Sequence, residues 1–436
     1  MSGARLKPIG ALGIALGLAG AFVGFKANAQ DFAMSNATVA VGDGSAPIEG
    51  ATVVVRGGKV VAVGRDVAIP LGMPVADGTG KWVTPGLVAT LTTLGLSDVS
   101  GVGESNDVRP TKSRWGAALD ASPAINPVSQ HILVHREAGI TRAATVTAPS
   151  SSIFGGQGAI IDLDGDGTPV TRAKAFQIVA LGETGARISG GSRAASFVEL
   201  AEALREAVAY ANGRWDPESA ILPRADAEAL VAVVTGRQPL YVAVERASDI
   251  RAVLGLKREM PRLDLVLIGA SEGWLVAPEI AAAGIPVIAD GLDDLPERFE
   301  QLASTQSNVG RMVKAGVKVA INAAAMENPR NLNQYAGNLV ALTRVPGAEG
   351  LTWGQAFAAI SSIPAEISGL GPSGGKLVPG AVGDVVVWDG DPLEVGSVPT
   401  EVYIGGVRQP LESHQSRLRE RYRNLDESQM PKGYDW

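Results

Sequence analysis

Residues 86–371 repeat one pattern: a short run that is apolar nearly throughout, then a stretch with apolar residues at helical spacing. The runs are Ala143–Thr147, Ala175–Leu181, Leu240–Glu245, Asp264–Gly269, Ile285–Asp290 and Val317–Asn322. Between them, Ala195–Ala211 places Phe197, Leu200, Leu204 and Val208 along one face, with Glu202, Arg205 and Glu206 facing outward. Ser248–Met260, Trp274–Ala283 and Glu297–Ala315 read as helices in the same way, as does Val128–Ala138. A strand with no polar alternation is buried on both faces, which calls for a parallel sheet covered by helices. A stretch of this length suits an α/β fold, a TIM-like (β/α)8 barrel, which takes about 250 residues before insertions. The doubly wound alternative wants a Gly-rich phosphate loop after its first strand, and none is found there.

The flanks have a different rhythm. Residues 31–85 read as short strands, Ala37–Val41, Ala51–Arg56, Val60–Val63 and Lys81–Thr84, with Gly57-Gly58 and Asp77-Gly78 as turns. Residues 372–410 add Asp384–Trp388 and Glu401–Ile404, with Gly405-Gly406 as a hairpin turn. Neither flank can close a core alone. The simplest solution is a small composite β-sandwich domain built from both: residues 30–85 and 372–410 around a barrel of residues 86–371. Residues 411–436 form a charged tail, with Glu412–Asn424 as a solvated helix.

The first residues look like a signal peptide spanning 1–29. Arg5 and Lys7 precede the apolar run Ile9–Phe25, and Ala27-Asn28-Ala29 offers small residues at a cleavage point. An uncleaved anchor is the alternative, but the run is short of the roughly 20 residues that span a bilayer. The expected location is periplasmic or secreted, with no membrane span after cleavage. Loss of Arg5, Lys7 and Lys26 takes the net charge of −7 to −10. An acidic exported chain without basic clusters is not expected to bind nucleic acid. Cysteine is absent, which excludes disulfides, thiolate metal sites and cysteine nucleophiles. There are three histidines, His131, His135 and His414.

Several stretches, in order, carry a resemblance. They are Trp82-Val83-Thr84-Pro85-Gly86-Leu87, Ile153-Phe154-Gly155-Gly156-Gln157-Gly158, Arg246-Ala247-Ser248-Asp249-Ile250 and Gly375-Lys376-Leu377 through Pro379-Gly380. Gly383-Asp384-Val385-Val386-Val387-Trp388 and Asp389-Gly390-Asp391-Pro392 complete the set. Together they resemble the amidohydrolase superfamily, in particular its imidazolonepropionase-like exported members. The resemblance implies hydrolysis of non-peptide C–N bonds in amides or cyclic amides, with zinc or another divalent ion activating water. It also implies metal ligands: a His-x-His pair on the first barrel strand, a carboxylate on the fourth, histidines on the fifth and sixth, and an aspartate on the eighth. These positions fall on Leu91 and Thr93, Glu183, Ala243, Ile268 and Ala324. Only Glu183 keeps a ligand type, and one carboxylate cannot hold a catalytic zinc, which normally has three protein ligands. No metal cofactor is therefore expected. The chain reads as a pseudoenzyme acting as a partner or binding subunit. Its expected partner is an active amidohydrolase relative in a hetero-oligomer, or a second copy in a homo-oligomer. The alternatives are a hydrolase with a carboxylate-based site and an envelope protein that binds an unidentified small molecule.

Other groups offer chemistry. Glu183, Glu245 and Asp290 fall at barrel strand ends, the face where such folds build sites, and are the candidate catalytic carboxylates. The alternative is ion pairing, for instance Glu245 with Arg246 or with a helix-end arginine. Gln157, Glu272 and Asn322 are candidate pocket residues. His131 and His135 stand four apart on a helix, the spacing of a metal pair, or are ordinary helix histidines. Asp162-Leu163-Asp164-Gly165-Asp166-Gly167 matches the start of a calcium loop, but Ala173 stands where a glutamate belongs; a polar turn between two strands is favoured. Ser150-Ser151-Ser152 with Gly155-Gly156-Gln157-Gly158 reads as a loop, either flexible or cradling a polar ligand.

Overall fold

The computed structural model describes residues 29–99, 101–322 and 328–423. The expected signal peptide up to Asn28, Ala324 and the end of the tail lie outside the described residues.

The N-terminal segment supplies β1 (Phe32–Val39), β2 (Ile48–Arg56), β3 (Lys59–Gly64), β4 (Val75–Asp77) and β5 (Trp82–Pro85). The barrel strands follow: β6 (Leu87–Thr92), β7 (Ile140–Thr145), β8 (Phe154–Asp162), β9 (Val170–Ala180), β10 (Leu240–Val244), β11 (Leu265–Gly269), β12 (Val287–Asp290) and β13 (Val319–Asn322). The C-terminal segment adds β14 (Val385–Trp388), β15 (Pro399–Ile404) and β16 (Val407–Arg408). One sheet runs β16-β15-β14-β5-β1-β2-β3, with β4 beside β1, so the two ends of the chain join where β5 pairs antiparallel with β14. Its strands share a core that includes Phe32, Val53, Val83, Val385 and Tyr403.

The second sheet runs β13 to β6 and is a nearly closed barrel. Its seam is bridged by main chain from elsewhere: Val88 N donates to Ile360 O at 3.0 Å and Ile321 N to Ala359 O at 2.9 Å. Alternate residues feed two apolar layers, which is why the strands read as apolar throughout. Leu91, Ala144, Phe176, Ile178, Tyr241, Val266, Ile288 and Ala320 fill the interior. Ala89, Ala143, Val179, Val242, Leu267, Val287 and Val319 pack outward with the helices. Arg142 on β7 ties barrel to sheet, with Nε 2.7 Å from Asp384 Oδ2 and Nη1 3.2 Å from Asp162 Oδ2.

Two expectations need correction. The barrel is not uniformly parallel: β8 pairs antiparallel with both β7 and β9, with short turns on either side. The glycines of residues 154–158 therefore lie in a buried strand and not in a loop. They are needed for close approach, since a Cβ on Gly158 would sit 2.1 Å from Phe176 Cζ, in the barrel interior. The helix expected over Glu297–Ala315 is confined to Asn308–Lys314, and Phe299–Gln301 form only a short 3-10 turn. That stretch bends because the carboxylate of Glu300 is drawn inward, as described below.

The main helices are α1 (Gln130–Glu137), α2 (Gly182–Ile188), α3 (Arg193–Ala211), α4 (Arg224–Val234) and α5 (Ala247–Glu259). The tail helix, His414–Tyr422, has no buried residue.

Candidate functional site

The strand alternation fixes which side chains reach the mouth at the C-terminal ends of the parallel strands. Leu91 belongs to the inner core and Ile268 packs against it. Two residues on from Tyr241, Ile288 and Ala320, the inward positions are Ala243, Asp290 and Asn322. Thr93, just beyond the end of β6, is buried too. The positions to which the resemblance assigns ligands on β6, β10 and β11 face the interior, and they hold Leu91, Ala243 and Ile268. Hydrocarbon side chains at 91, 243 and 268 have no lone pair, and the residues present do not fit a divalent ion. Among the described residues, no group of three or more His, Asp or Glu side chains is placed to hold one.

What the mouth does present is Asp290 beside Asn322, register partners on β12 and β13. Asp290 Oδ1 accepts from Leu292 N at 3.0 Å. Burial, reinforced by Asp293 and Glu297, pushes its carboxyl up to about 6.

The other two candidate carboxylates belong to a salt-bridge network. Arg193, on the first turn of α3, reaches Asp249 Oδ2 at 3.1 Å, Glu300 Oε2 at 3.2 Å and Glu183 Oε1 at 3.5 Å. Glu300 also accepts from Glu183 N at 2.6 Å. Arg298 lies 3.5 Å from Glu300 and 3.8 Å from Glu245. Glu245 Oε2 accepts from the main chain and the hydroxyl of Ser271, at 3.0 and 2.7 Å. Burial raises the Glu245 carboxyl, opposed by the Ser271 bonds. Arg246 does not pair with Glu245; it reaches Asp249 at 2.7 Å. The sheet ends make room for this network with glycine: a Cβ on Gly182 or Gly269 would meet Glu300 or Glu245 oxygen at 2.3 Å, and both have positive φ.

The remaining candidates sit elsewhere. Glu272 joins two segments, accepting from Ala247 N at 3.0 Å and Ala303 N at 3.2 Å. Gln157 is on the outward side of β8, opposite Gly158, where its Oε1 accepts from Gln238 at 3.3 Å; it does not line the mouth. His135 is buried with Nδ1 2.5 Å from the carbonyl oxygen of His131, and burial drives it down to about 4. Asp164 and Asp166 accept from Asp166 N and Thr168 N at 2.9 and 2.7 Å, the bonds of a polar turn between β8 and β9. Ser151 donates to Ser113 O at 2.9 Å, which pins the loop after β6. Sequence reasoning missed Arg193, Arg298, Glu300 and Ser271. The glycines at 182 and 269 were the one signal that side chains crowd those strand ends.

No family model matches the chain. Over 379 residues, 78% of its length, it is 24% identical to the amidohydrolase tasK of Hapsidospora irregularis, and it spans 38% of that protein. It superposes on an amidohydrolase from Thermotoga maritima MSB8 with a TM-score of 0.75, at 23% identity, covering 86% of this chain and 99% of that one. The fold is the amidohydrolase fold. A molinate hydrolase is also similar, with a TM-score of 0.54 and 15% identity over 88% of this chain and 95% of its own. The resemblance to amidohydrolases read from the motifs holds, and with it the barrel and the separate sheet.

Proposed function

We propose that this chain is a metal-free member of the amidohydrolase lineage that works by binding, as a partner or ligand-binding subunit, after export from the cytoplasm. Its ancestry is that of hydrolases of non-peptide C–N bonds. One observation carries the reading: the inward positions at 91, 243 and 268 hold hydrocarbon side chains. Two of the three candidate carboxylates, Glu183 and Glu245, are engaged by arginine, which suits a structural role better than proton transfer.

The test is metal content by inductively coupled plasma mass spectrometry. The protein is purified from the periplasm without chelators, after growth with zinc, manganese and iron. Metal far below one ion per folded chain is expected. Near-stoichiometric metal would overturn the reading.

A second reading rests on Asp290. A carboxyl pushed up to about 6 beside an amide donor is suited to general-base hydrolysis without metal. It requires hydrolysis of an amide, cyclic imide or lactone that persists in chelator and disappears in Asp290→Asn.

A further inference from the structure

The loop after β12 is built inside out. Its polar residues turn inward: Glu300 and Gln301 are buried, Asp293 Oδ2 lies 3.1 Å from Ser271 Oγ, and Gln301 Nε2 donates to Ser271 Oγ at 3.1 Å. Its large apolar residues turn outward, Leu295, Phe299 and Leu302 being 78%, 82% and 65% exposed. Scattered apolar residues on a surface need no explanation, but three within eight residues of an anchored loop form a patch. Asp294 and Glu297, both exposed, give the patch a negative rim.

A second loop leaves the same end of the barrel, after β6. It exposes Arg109, Lys112 and Arg114, and the Arg114 guanidinium lies 4.2 Å from the ring centre of Trp115. None of the three cations has an ion-pair partner among the described residues. This loop is also anchored: Asp226 accepts from Gly116 N and Ala118 N at 3.1 and 2.7 Å.

One face therefore carries an acidic, apolar segment, residues 293–302, and a basic, aromatic one, residues 109–115, with the exposed acids of the loop after β6, Glu104 and Asp107, lying before that basic stretch. We propose that this face is a two-fold interface between two copies of this chain, with the loop after β12 of each copy seated on the loop after β6 of the other. A two-fold axis between the loops forms the contact twice. Phe299 meets the Arg114–Trp115 stack, and Glu297 and Asp294 meet Lys112 and Arg109. The chain supplies both halves of the complementarity, which favours a second copy over an unrelated protein. An anionic lipid surface would attract one loop and repel the other. Both loops are held before contact, so little ordering cost opposes association. The barrel mouth, with Asp290 and Asn322, then opens into the space between the two copies. The inference does not depend on whether the barrel holds metal.

The test is the mass of the mature chain in solution, by sedimentation or light scattering, from micromolar to hundred-micromolar concentration. A dimer is expected. Phe299→Asp should weaken it by about 30-fold or more, the loss of a hot-spot aromatic. Glu297→Lys and Lys112→Glu should each shift the equilibrium towards monomer, and their combination in one chain should restore the dimer. The charge exchange reads the interface even if Phe299→Asp misfolds. A monomer at every concentration, or an oligomer indifferent to these substitutions, overturns the proposal.

Discussion

Asp290 lies in register with Asn322 across adjacent strands, and both side chains turn into the barrel mouth. Because burial raises the Asp290 carboxyl to about 6, the folded chain binds that proton more tightly than the unfolded chain does. The group's contribution to stability is fully present below its ordinary value of 3.8 and is lost as the pH rises through about 6. At about pH 8 the folded state carries a half-buried charge that Asn would not carry. Asp290→Asn is therefore expected to be more stable than wild type by about 1–2 kcal/mol at that pH, allowing for solvent screening, and nearly equal to it at about pH 4. Urea unfolding of both proteins at the two pH values decides this. An unchanged difference between them would mean that Asp290 ionises freely.

Arg193 holds Glu183, Asp249 and Glu300 at once, and Glu300 is buried. Arg193→Met should leave the buried Glu300 carboxylate with Arg298, 3.5 Å away, as its remaining charged partner and cost about 1–3 kcal/mol. Adding Glu300→Gln removes that charge, and part of that loss should return. Two simply additive losses in chemical denaturation would show that Arg193 and Glu300 are not coupled.

The parts of this molecule that are local in sequence were legible in it. Runs apolar nearly throughout made the β10 to β13 segments read as strands, and the motif around Asp384 marked the closing sheet. Other parts were hidden for physical reasons. Gly155, Gly156 and Gly158 look like loop residues because glycine is common in loops, whereas here they admit close neighbours in a strand. Arg193 and Glu300 are 107 residues apart, and no periodicity announces such a pair. The stretch around Glu300 has helical spacing, yet the buried carboxylate outweighs that local preference. Asp290 was legible as a strand end; its altered proton affinity comes first from burial and then from Asp293 and Glu297, which follow it in the loop.

Gly158 gives a direct test of the antiparallel strand. Phe176 is buried and stacks on Tyr241, with ring centres 4.3 Å apart, so it cannot retreat from an added methyl group. Gly158→Ala should cost about 1–3 kcal/mol through overpacking, and Phe176→Leu in the same chain should offset part of that cost. A neutral Gly158→Ala, read by thermal or chemical unfolding, would move β8 away from Phe176.

The inward orientation of positions 91, 243 and 268 can be tested by placing histidines there. Leu91→His, Thr93→His, Ala243→His and Ile268→His would supply four imidazoles from β6, β10 and β11, or just beyond β6, enough for a tetrahedral zinc. Arg193 would still engage Glu183, so the new site has to stand on nitrogen ligands alone. Zinc binding only the folded state raises its stability by mass action. The quadruple variant is expected to take up close to one zinc per chain and to unfold at a higher temperature with zinc than with chelator. Wild type should show no such difference. A folded variant that ignores zinc would place these side chains too far apart to share an ion.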